Sequence, residues 1–286
     1  MILADNGGSI RSVLHHHTFG DPQGRPIIAL HGVNGHGARW RRLAERHTHG
    51  FRWIGLDLRG HGRSTWNPPW TLERHAADVL DTMDGLDLST VDIVGHSFGG
   101  AVALAAAGQA PQRFRRLVLL DPGVALDPSY VLRRATAELT PPTYADPEEA
   151  RLDRAARWPD AADPDMAADE VADHLEQTED GRYRFRWAAP AVVTAFSEMT
   201  REPPLPPPGL PTLLVVAGRG SAVGQPFLDA LTEDALTEDA LTEDALTEDA
   251  LSRDVGVTEV DGGHTVYVDR PAETGALIQE FLDNDG

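Results

Sequence analysis

Residues 95–100, Gly-His-Ser-Phe-Gly-Gly, constrain the fold of this chain more than any other part of its sequence. They match the pattern G-x-S-x-G, with β-prone residues 91–94 before them and strongly helix-prone residues 101–107 after them. A serine in a glycine-lined turn between a strand and a helix is the arrangement of a nucleophile elbow. Because that turn is sharp, only small residues fit around the serine. The pattern therefore predicts that the Ser97 hydroxyl stands exposed above the edge of a sheet.

Apolar, β-prone segments recur along the chain, and each runs into a turn that carries Gly, Asp or His. Besides residues 91–94, these segments are 27–30, 53–56, 117–120, 212–216 and 257–260. Strands without alternation, separated by helices, indicate a parallel sheet that is covered on both faces. We therefore predict an α/β fold with a mostly parallel, doubly wound sheet. Functional groups in such sheets gather at the carboxyl ends of the strands, where the polar turn residues of this chain fall.

The regular spacing of strands is interrupted once, by about 90 residues between the segments at 117–120 and 212–216, far more than one crossover helix needs. The interruption is rich in Ala, Asp, Glu and Arg and suggests several helices. We therefore predict an α/β core of residues 1–123 and 203–286, with residues 124–202 inserted as a helical cap, or lid.

Residues 230–251 hold four tandem copies of Ala-Leu-Thr-Glu-Asp followed by Ala-Leu. A helix turns by about 100° per residue, so a five-residue period moves each Leu by about 140° and makes no apolar stripe. The acidic residues also repel one another at i,i+4 spacing. One interpretation is repeat expansion within a surface helix of the core; the other is an acidic docking or cation-binding element. We favour the first, because the acids match no Ca²⁺-loop pattern.

Composition excludes several classes of protein. No apolar run reaches the length of about 18 residues that a membrane-spanning helix needs, and residues 1–10 lack the features of a secretory signal. The chain has no cysteine, and its net charge of −20 argues against binding to nucleic acid. All 25 basic residues are Arg, which suggests a GC-rich bacterial genome. We expect a cytoplasmic enzyme without a metal. Histidines 15–17 do not favour a metal site, because neighbouring strand residues point to opposite faces.

A serine nucleophile needs an oriented base, usually a histidine, and with this kind of elbow the chain order is Ser, acid, His. His264 follows the last predicted strand and two glycines, so we assign it as the base of Ser97. His31, His61 and His96 also lie near the sheet edge. They stand beside glycines, and we expect them to shape turns or line the pocket.

The acid that orients His264 is harder to place. Its commonest position is the turn after the penultimate strand, but residues 218–222 hold no carboxylate, and the first acid beyond them is Asp229. Asp121 stands at the end of the strand that follows the elbow helix, and we assign it as the acid. The alternative role for Asp121 is that of a turn or helix-cap residue. Asp261 is too close to His264 in sequence to reach its ring.

An oxyanion hole needs two backbone N–H donors. One is expected from Phe98, the residue after the nucleophile, and the other from the loop after the strand at residues 27–30, at Val33.

Four motifs in this order together resemble the α/β-hydrolase fold superfamily over nearly the whole chain: His-Gly at 31–32, Asp-Leu-Arg-Gly-His-Gly-Arg-Ser at 57–64, the elbow at 95–100, and Gly-His at 263–264. Residues 34–40, 66–71 and 119–127 resemble actinobacterial lipase/esterase-type serine hydrolases. Some members of the superfamily place the acid one strand earlier than usual, which supports Asp121. The repeat is foreign to the superfamily.

The resemblance implies a serine hydrolase that cleaves small-molecule carboxylic esters through an acyl-enzyme intermediate, without a cofactor. Ser97 at the elbow argues against the epoxide hydrolases and haloalkane dehalogenases of this fold, which use Asp there. A C–C bond hydrolase, a lactonase, a cofactor-free haloperoxidase or perhydrolase, and a ligand receptor that retains the fold are the alternatives. We expect the cap and Trp40, Trp66 and Trp70 to shape an apolar acyl pocket.

Deletion of three of the four repeat copies is expected to leave activity and melting temperature nearly unchanged, because one copy suffices for packing. Thermal unfolding and an ester-cleavage assay of the shortened chain check this. A large loss in either measurement would show that the repeat packs or functions.

Overall fold

The computed structural model describes residues 2–4, 10–239 and 254–284. Its strands are β1 (Ile2–Ala4), β2 (Ile10–Ser12), β3 (His16–Gly20), β4 (Arg25–Leu30), β5 (Phe51–Leu56), β6 (Val91–His96), β7 (Phe114–Leu120), β8 (Leu175–Gln177), β9 (Tyr183–Phe185), β10 (Thr212–Ala217) and β11 (Val255–Val260). Its α-helices are α1 (Arg41–Arg46), α2 (Leu72–Gly85), α3 (Phe98–Gln109), α4 (Pro128–Glu138), α5 (Pro147–Arg157), α6 (Met166–His174), α7 (Ala189–Glu198), α8 (Gln225–Asp239), α9 (Val266–Asp269) and α10 (Pro271–Asp283). Short 3₁₀ helices form at Gly37–Trp40 and Pro111–Arg113.

Seven of the described strands form one sheet in the order β11-β10-β7-β6-β4-β5-β3. Every neighbouring pair is parallel except β3 and β5, which are antiparallel. Each of the six predicted strands is present, so the mostly parallel sheet predicted from the sequence is confirmed. The sequence is consistent with strand residues at 15–17, but it does not predict that β3 forms an antiparallel edge of this sheet. Strand β6, which leads to Ser97, lies between β4 and β7 near the middle of the sheet.

Successive residues of the central strands enter different hydrophobic cores because strand side chains alternate between the two faces. Ile28 and Ile93 lie in one core, while Ile27 and Val94 lie in the other, and all four are fully buried. Helices α2 and α3 contribute to the first core, and α1 and α10 contribute to the second. Coverage of both faces explains why these strands are continuously apolar.

Helix α3 has no polar face because it is buried on nearly all sides. It packs between α2 and the sheet, against strands β6, β7 and β4. A helix that is hydrophobic all round is stable only inside a core. The elbow serine therefore sits between a buried strand and a buried helix, both of which hold it rigidly.

Residues 124–202, between β7 and β10, hold helices α4 to α7 and the antiparallel hairpin β8–β9. Helix α4 packs on α7, and α5 packs on α6. Asp127 and Asp146 accept hydrogen bonds from backbone N–H groups in the first turns of α4 and α5, and each is followed by a proline. Aspartate caps with proline at the first helical position define where these helices begin.

Buried charges join this segment to the loop after β4. Glu170 of α6 accepts from Arg39 Nε at 2.8 Å and from Arg39 Nη2 at 2.7 Å, and its Oε1 lies 2.8 Å from His36 Nε2. All three side chains are buried. Because a buried charge without a partner is costly, this group holds α6 in one position on the sheet.

Helix α8 contains residues 230–239, the first two copies of the repeat, and Phe227 and Leu231 at its start are buried in the first core. Residues 240–253, which contain the rest of the repeat, lie outside the described residues. The interpretation of the repeat as part of a surface helix stays a prediction. Within the described ranges, no helix has the length and apolar character needed to cross a membrane.

Candidate active site

The turn at Ser97 is as sharp as the sequence pattern predicts. Strand β6 ends at His96, α3 begins at Phe98, and Ser97 between them has φ 54° and ψ −123°. A positive φ is unfavourable for a residue with a side chain, so the surrounding structure must impose it. A Cβ atom at Gly99 would collide with the carbonyl oxygen of Leu30, and one at Gly95 would collide with that of Gly99. Both glycines are therefore needed for strand and helix to approach so closely.

Ser97, His264 and Asp121 form one hydrogen-bonded chain. The Nε2 atom of His264 lies 2.9 Å from Ser97 Oγ, and its Nδ1 atom lies 2.6 Å from Asp121 Oδ2. Asp121 is fully buried, Ser97 is 7% exposed, and His264 is partly exposed. The structure thus brings together the three residues that the sequence predicts as nucleophile, base and acid.

The loop after β10 holds no carboxylate. Instead, the end of β10 and this loop donate hydrogen bonds to Asp121. Oδ1 of Asp121 accepts from the backbone N–H of Ala217 at 2.9 Å and from Ser221 Oγ at 2.6 Å, and Oδ2 accepts from the N–H of Ala222 at 2.9 Å. Burial alone would raise the pKa of Asp121, but the bonds from His264, Ser221 and the backbone hold that pKa below its ordinary value. The carboxylate is therefore ionised at neutral pH. Sequence reasoning found no role for Ser221, since no local motif marks it.

His96 and His31 hold the backbone around the serine. His96 Nε2 lies 2.9 Å from the carbonyl oxygen of His264, and burial lowers the pKa of His96 to about 3, so its ring is neutral and donates this bond. His31 Nδ1 lies 2.7 Å from the carbonyl oxygen of Gly32, and its Nε2 accepts from the N–H of Leu58 at 3.0 Å. Both rings therefore position turns, as expected from the sequence.

The loop after β4 passes directly beside the serine. A Cβ atom at Gly32 would lie 2.9 Å from that of Ser97, and Gly32 and Val33 line the same cavity as Ser97. Phe98 stands at the first position of α3, where a backbone N–H has no partner within the helix. The N–H groups of Val33 and Phe98 thus belong to the two segments that flank Ser97.

The cavity that contains Ser97 and His264 has a volume of about 160 Å³. Leu126, Tyr130, Phe196 and Met199 contribute to its wall from residues 124–202, and so does Trp158. Four arginines also line it: Arg39, Arg134, Arg154 and Arg157. Sequence reasoning missed these arginines because they come from three separate segments of the chain and no catalytic motif marks them.

The three tryptophans expected in the pocket do not line this cavity, so that expectation is wrong for it. Trp40 is fully buried and stacks on Trp53 and Tyr267. Trp66 lies under the guanidinium of Arg184. Large aromatic residues fill cores as readily as they line pockets, and sequence alone does not separate the two roles.

One group of side chains in the described ranges could hold a metal ion. His15 Nδ1 and His17 Nε2 lie 3.2 and 3.3 Å from the carboxylate oxygens of Asp57, and the three ligand atoms fit within 4.8 Å of one another. The two histidines share one face because they are two residues apart, so the opposite-face argument applies only to His16. Asp57 already accepts from the N–H groups of Gly37 and Arg63. Burial would raise the pKa of Asp57, but these four partners hold it far below its usual range.

Comparisons with known proteins show which sequences and structures this chain is similar to. A family model described as alpha/beta hydrolase fold matches residues 25–204. The chain is similar to lipase LipV of Mycobacterium tuberculosis, with 38% identity over 94% of this chain and 97% of the relative. Among solved structures it is similar to a marine microorganism esterase (TM-score 0.70, 20% identity, 95% of this chain and 100% of the other). It is also similar to E-2-(acetamidomethylene)succinate hydrolase (TM-score 0.72, 19% identity, 94% and 95%).

Gly99→Ala is expected to lower the free energy of unfolding by about 1–3 kcal/mol, because the new methyl group must push α3 away from β4. Gly108→Ala is the matched control in the same helix, since its nearest neighbour would be Pro204 Cβ at 4.0 Å. There we expect a change of at most about 1 kcal/mol, toward higher stability. Denaturant unfolding of both variants checks this, and equal effects would contradict the close approach at Gly99.

Proposed function

The chain belongs to the alpha/beta hydrolase fold family, and on that basis we propose that it cleaves carboxylic esters with Ser97, His264 and Asp121 as a catalytic triad. Its similarity to a lipase over nearly its whole length makes it an esterase/lipase-like hydrolase. The observation that carries the finer proposal is the chain of hydrogen bonds from Ser97 through His264 to the buried carboxylate of Asp121.

The reaction begins with attack of Ser97 Oγ on the ester carbonyl. His264 Nε2 accepts the hydroxyl proton and then gives it to the departing alcohol, which leaves an acyl group on Ser97. A water molecule then attacks this acyl-enzyme, with His264 as the base again, and releases the carboxylic acid. Asp121 holds the imidazole in the tautomer that has its proton on Nδ1, and its negative charge stabilises the imidazolium.

The oxyanion of the tetrahedral intermediate is stabilised, in this proposal, by the backbone N–H groups of Val33 and Phe98. Both groups flank Ser97, and the N-terminus of α3 adds a positive potential at the same place. One such donor contributes about 3 kcal/mol of transition-state stabilisation in serine hydrolases.

We also propose that residues 124–202 form a helical cap on a core of residues 1–123 and 203–286. Side chains from that segment, among them Leu126 and Met199, form part of the cavity wall, which supports a role in admitting substrate. The repeat at 230–251 is assigned to a surface helix of the core. The cysteine-free sequence favours a cytoplasmic location, and the mycobacterial relative favours an actinobacterial source. The substrate is a small ester.

Ser97→Ala is expected to abolish hydrolysis of p-nitrophenyl acyl esters, with kcat at least about 10³-fold below wild type, because the acyl-enzyme cannot form. Initial rates for a panel of short and medium acyl chains give the comparison. If the wild-type protein hydrolyses every ester no faster than Ser97→Ala, the hydrolase proposal is contradicted, and a ligand receptor that retains the fold is favoured.

Asp121→Asn is expected to lower kcat by about 10³- to 10⁴-fold, because the amide neither fixes the tautomer of His264 nor stabilises its cation. Asp229→Asn is the control: Asp229 is exposed on α8 and binds Gln225, and we expect less than a twofold effect there. Circular dichroism of both variants confirms folding. Equal, small losses would show that the acid lies elsewhere.

A further inference from the structure

The wall of the Ser97 cavity carries an excess of positive charge. Arg39, Arg134, Arg154 and Arg157 line it, whereas no Asp or Glu side chain among the described residues does so. A pocket built only for a neutral acyl chain needs no cations. Two of the four guanidinium groups have carboxylate partners behind the wall.

Arg39 and Arg157 have such partners. Both oxygens of Glu170 accept hydrogen bonds from Arg39, whose Nη2 also donates to the carbonyl oxygen of Asn34 at 3.2 Å. Arg157 forms an ion pair with Asp153 one turn earlier on α5, at 3.0 Å. Glu138, another buried carboxylate near this wall, accepts from the side chain of Asn34 at 3.0 Å.

Arg154 has no carboxylate of its own. It is 5% exposed, and its Nε atom lies 3.6 Å from an oxygen of Glu170 that already binds Arg39. In the described part of the chain, the Nε and Nη2 atoms of Arg154 are buried without a hydrogen-bond partner. The guanidinium lies 4.2 Å from the centroid of the Phe185 ring, with Trp158 and Trp187 nearby. Arg154 lines the cavity, and its positive charge is matched by no carboxylate of its own, so the cavity wall offers an unbalanced positive charge to an anion.

The charge of Arg154 persists at neutral pH. Burial lowers its pKa to about 10, an effect that Glu170 only partly offsets and that the nearby Arg39 increases. Arg134, at the exposed end of the same cavity, lies over the ring of Phe196 and has no ion-pair partner among the described residues. Two guanidinium groups therefore remain for a bound anion, one buried and one exposed.

We propose that the preferred substrates are short esters that carry a carboxylate, with Arg154 as the specificity-determining residue and Arg134 assisting at the opening of the cavity. This inference rests on the proposed ester hydrolysis. A carboxylate is an organic anion that a guanidinium binds through charge-assisted hydrogen bonds. A cavity volume of about 160 Å³ is below the range of about 300–1,000 Å³ that is typical of pockets for drug-sized ligands, which favours short substrates.

Two pairs of matched esters test the proposal and locate the carboxylate. On the acyl side, the mono-p-nitrophenyl ester of glutaric acid is compared with p-nitrophenyl valerate, which has a methyl group where the former has a carboxylate. On the alcohol side, 4-acetoxybenzoate is compared with 4-methylphenyl acetate. Rates with Ser97→Ala are subtracted as background. We expect kcat/KM at least about tenfold higher for the anionic member of one pair, and the favoured pair identifies the side.

Three variants separate recognition of charge from a structural effect. Arg154→Gln is expected to lower kcat/KM at least about tenfold more for the anionic ester than for its neutral counterpart, which removes most of the preference. Arg134→Gln is expected to reduce the preference less than Arg154→Gln does. Because Arg134 is exposed, this substitution is not expected to impair folding. Arg151→Gln is the control on the same helix, because Arg151 pairs with Glu148 and does not line the cavity.

Equal kcat/KM values of wild type within both pairs would overturn the inference, and so would equal losses on both members of the preferred pair in Arg154→Gln. If Arg154→Gln does not fold, the wild-type ratios and Arg134→Gln decide. Cleavage of the neutral esters without any preference for the anionic ones contradicts this inference alone. A wild type no faster than Ser97→Ala on every ester contradicts the proposed function and this inference with it.

Discussion

The carboxylate of Asp121 accepts hydrogen bonds from two segments that are far from it in sequence. Ala217, Ser221 and Ala222 bind it from the end of β10 and the following loop, and His264 binds it from the turn after β11. Asp121 itself ends β7, which lies beside β10 in the sheet. One buried anion therefore joins the carboxyl ends of neighbouring strands, and the orientation of the His264 ring toward Ser97 follows from it.

Backbone strain is concentrated at the same sheet edge. Asn34, Ser97 and Asp121 have φ values of 63°, 54° and 43°, and they follow β4, β6 and β7, which are adjacent in the sheet. Such conformations cost about 1–3 kcal/mol each and persist only where the surrounding structure enforces them. Here the buried strands and the buried helix α3 hold the backbone in these conformations, and the glycines around Ser97 allow the strand and the helix to approach closely. The strain and the proposed chemistry thus depend on the same packing.

Residues 124–202 are held to the sheet by charge as well as by apolar contact. Both oxygens of Glu170 bind Arg39, and one of them also lies 3.6 Å from Arg154, so one carboxylate serves two buried guanidinium groups. The pair with Arg39 holds α6 in place. The weaker contact leaves the charge of Arg154 only partly balanced at the wall of the Ser97 cavity. Because Glu170 is shared by Arg39 and Arg154, the same carboxylate affects both the position of this segment and the substrate preference that we infer.

Local properties of the sequence are enough to predict the sheet, the elbow and the chain order of Ser97, Asp121 and His264. Continuous apolar segments predict buried parallel strands, and glycines at residues 95, 99 and 100 are needed wherever a strand and a helix meet at so sharp a turn. The absence of a carboxylate after β10 was enough to point to Asp121. The sequence does not place β3 at the edge of the sheet, because this strand carries histidines rather than an apolar pattern.

The surroundings of those groups depend on packing between segments that are distant in the sequence. Ser221 became a partner of Asp121 across 100 residues, and Arg39 became a partner of Glu170 across 131. Trp40 lies in the core, whereas Trp158 lines the cavity. Whether a charge or an aromatic ring is paired, buried or exposed depends on which distant segment packs against it. Local sequence specifies the conformation of the backbone, but the balance of charge at the wall of a cavity exists only after the chain has folded.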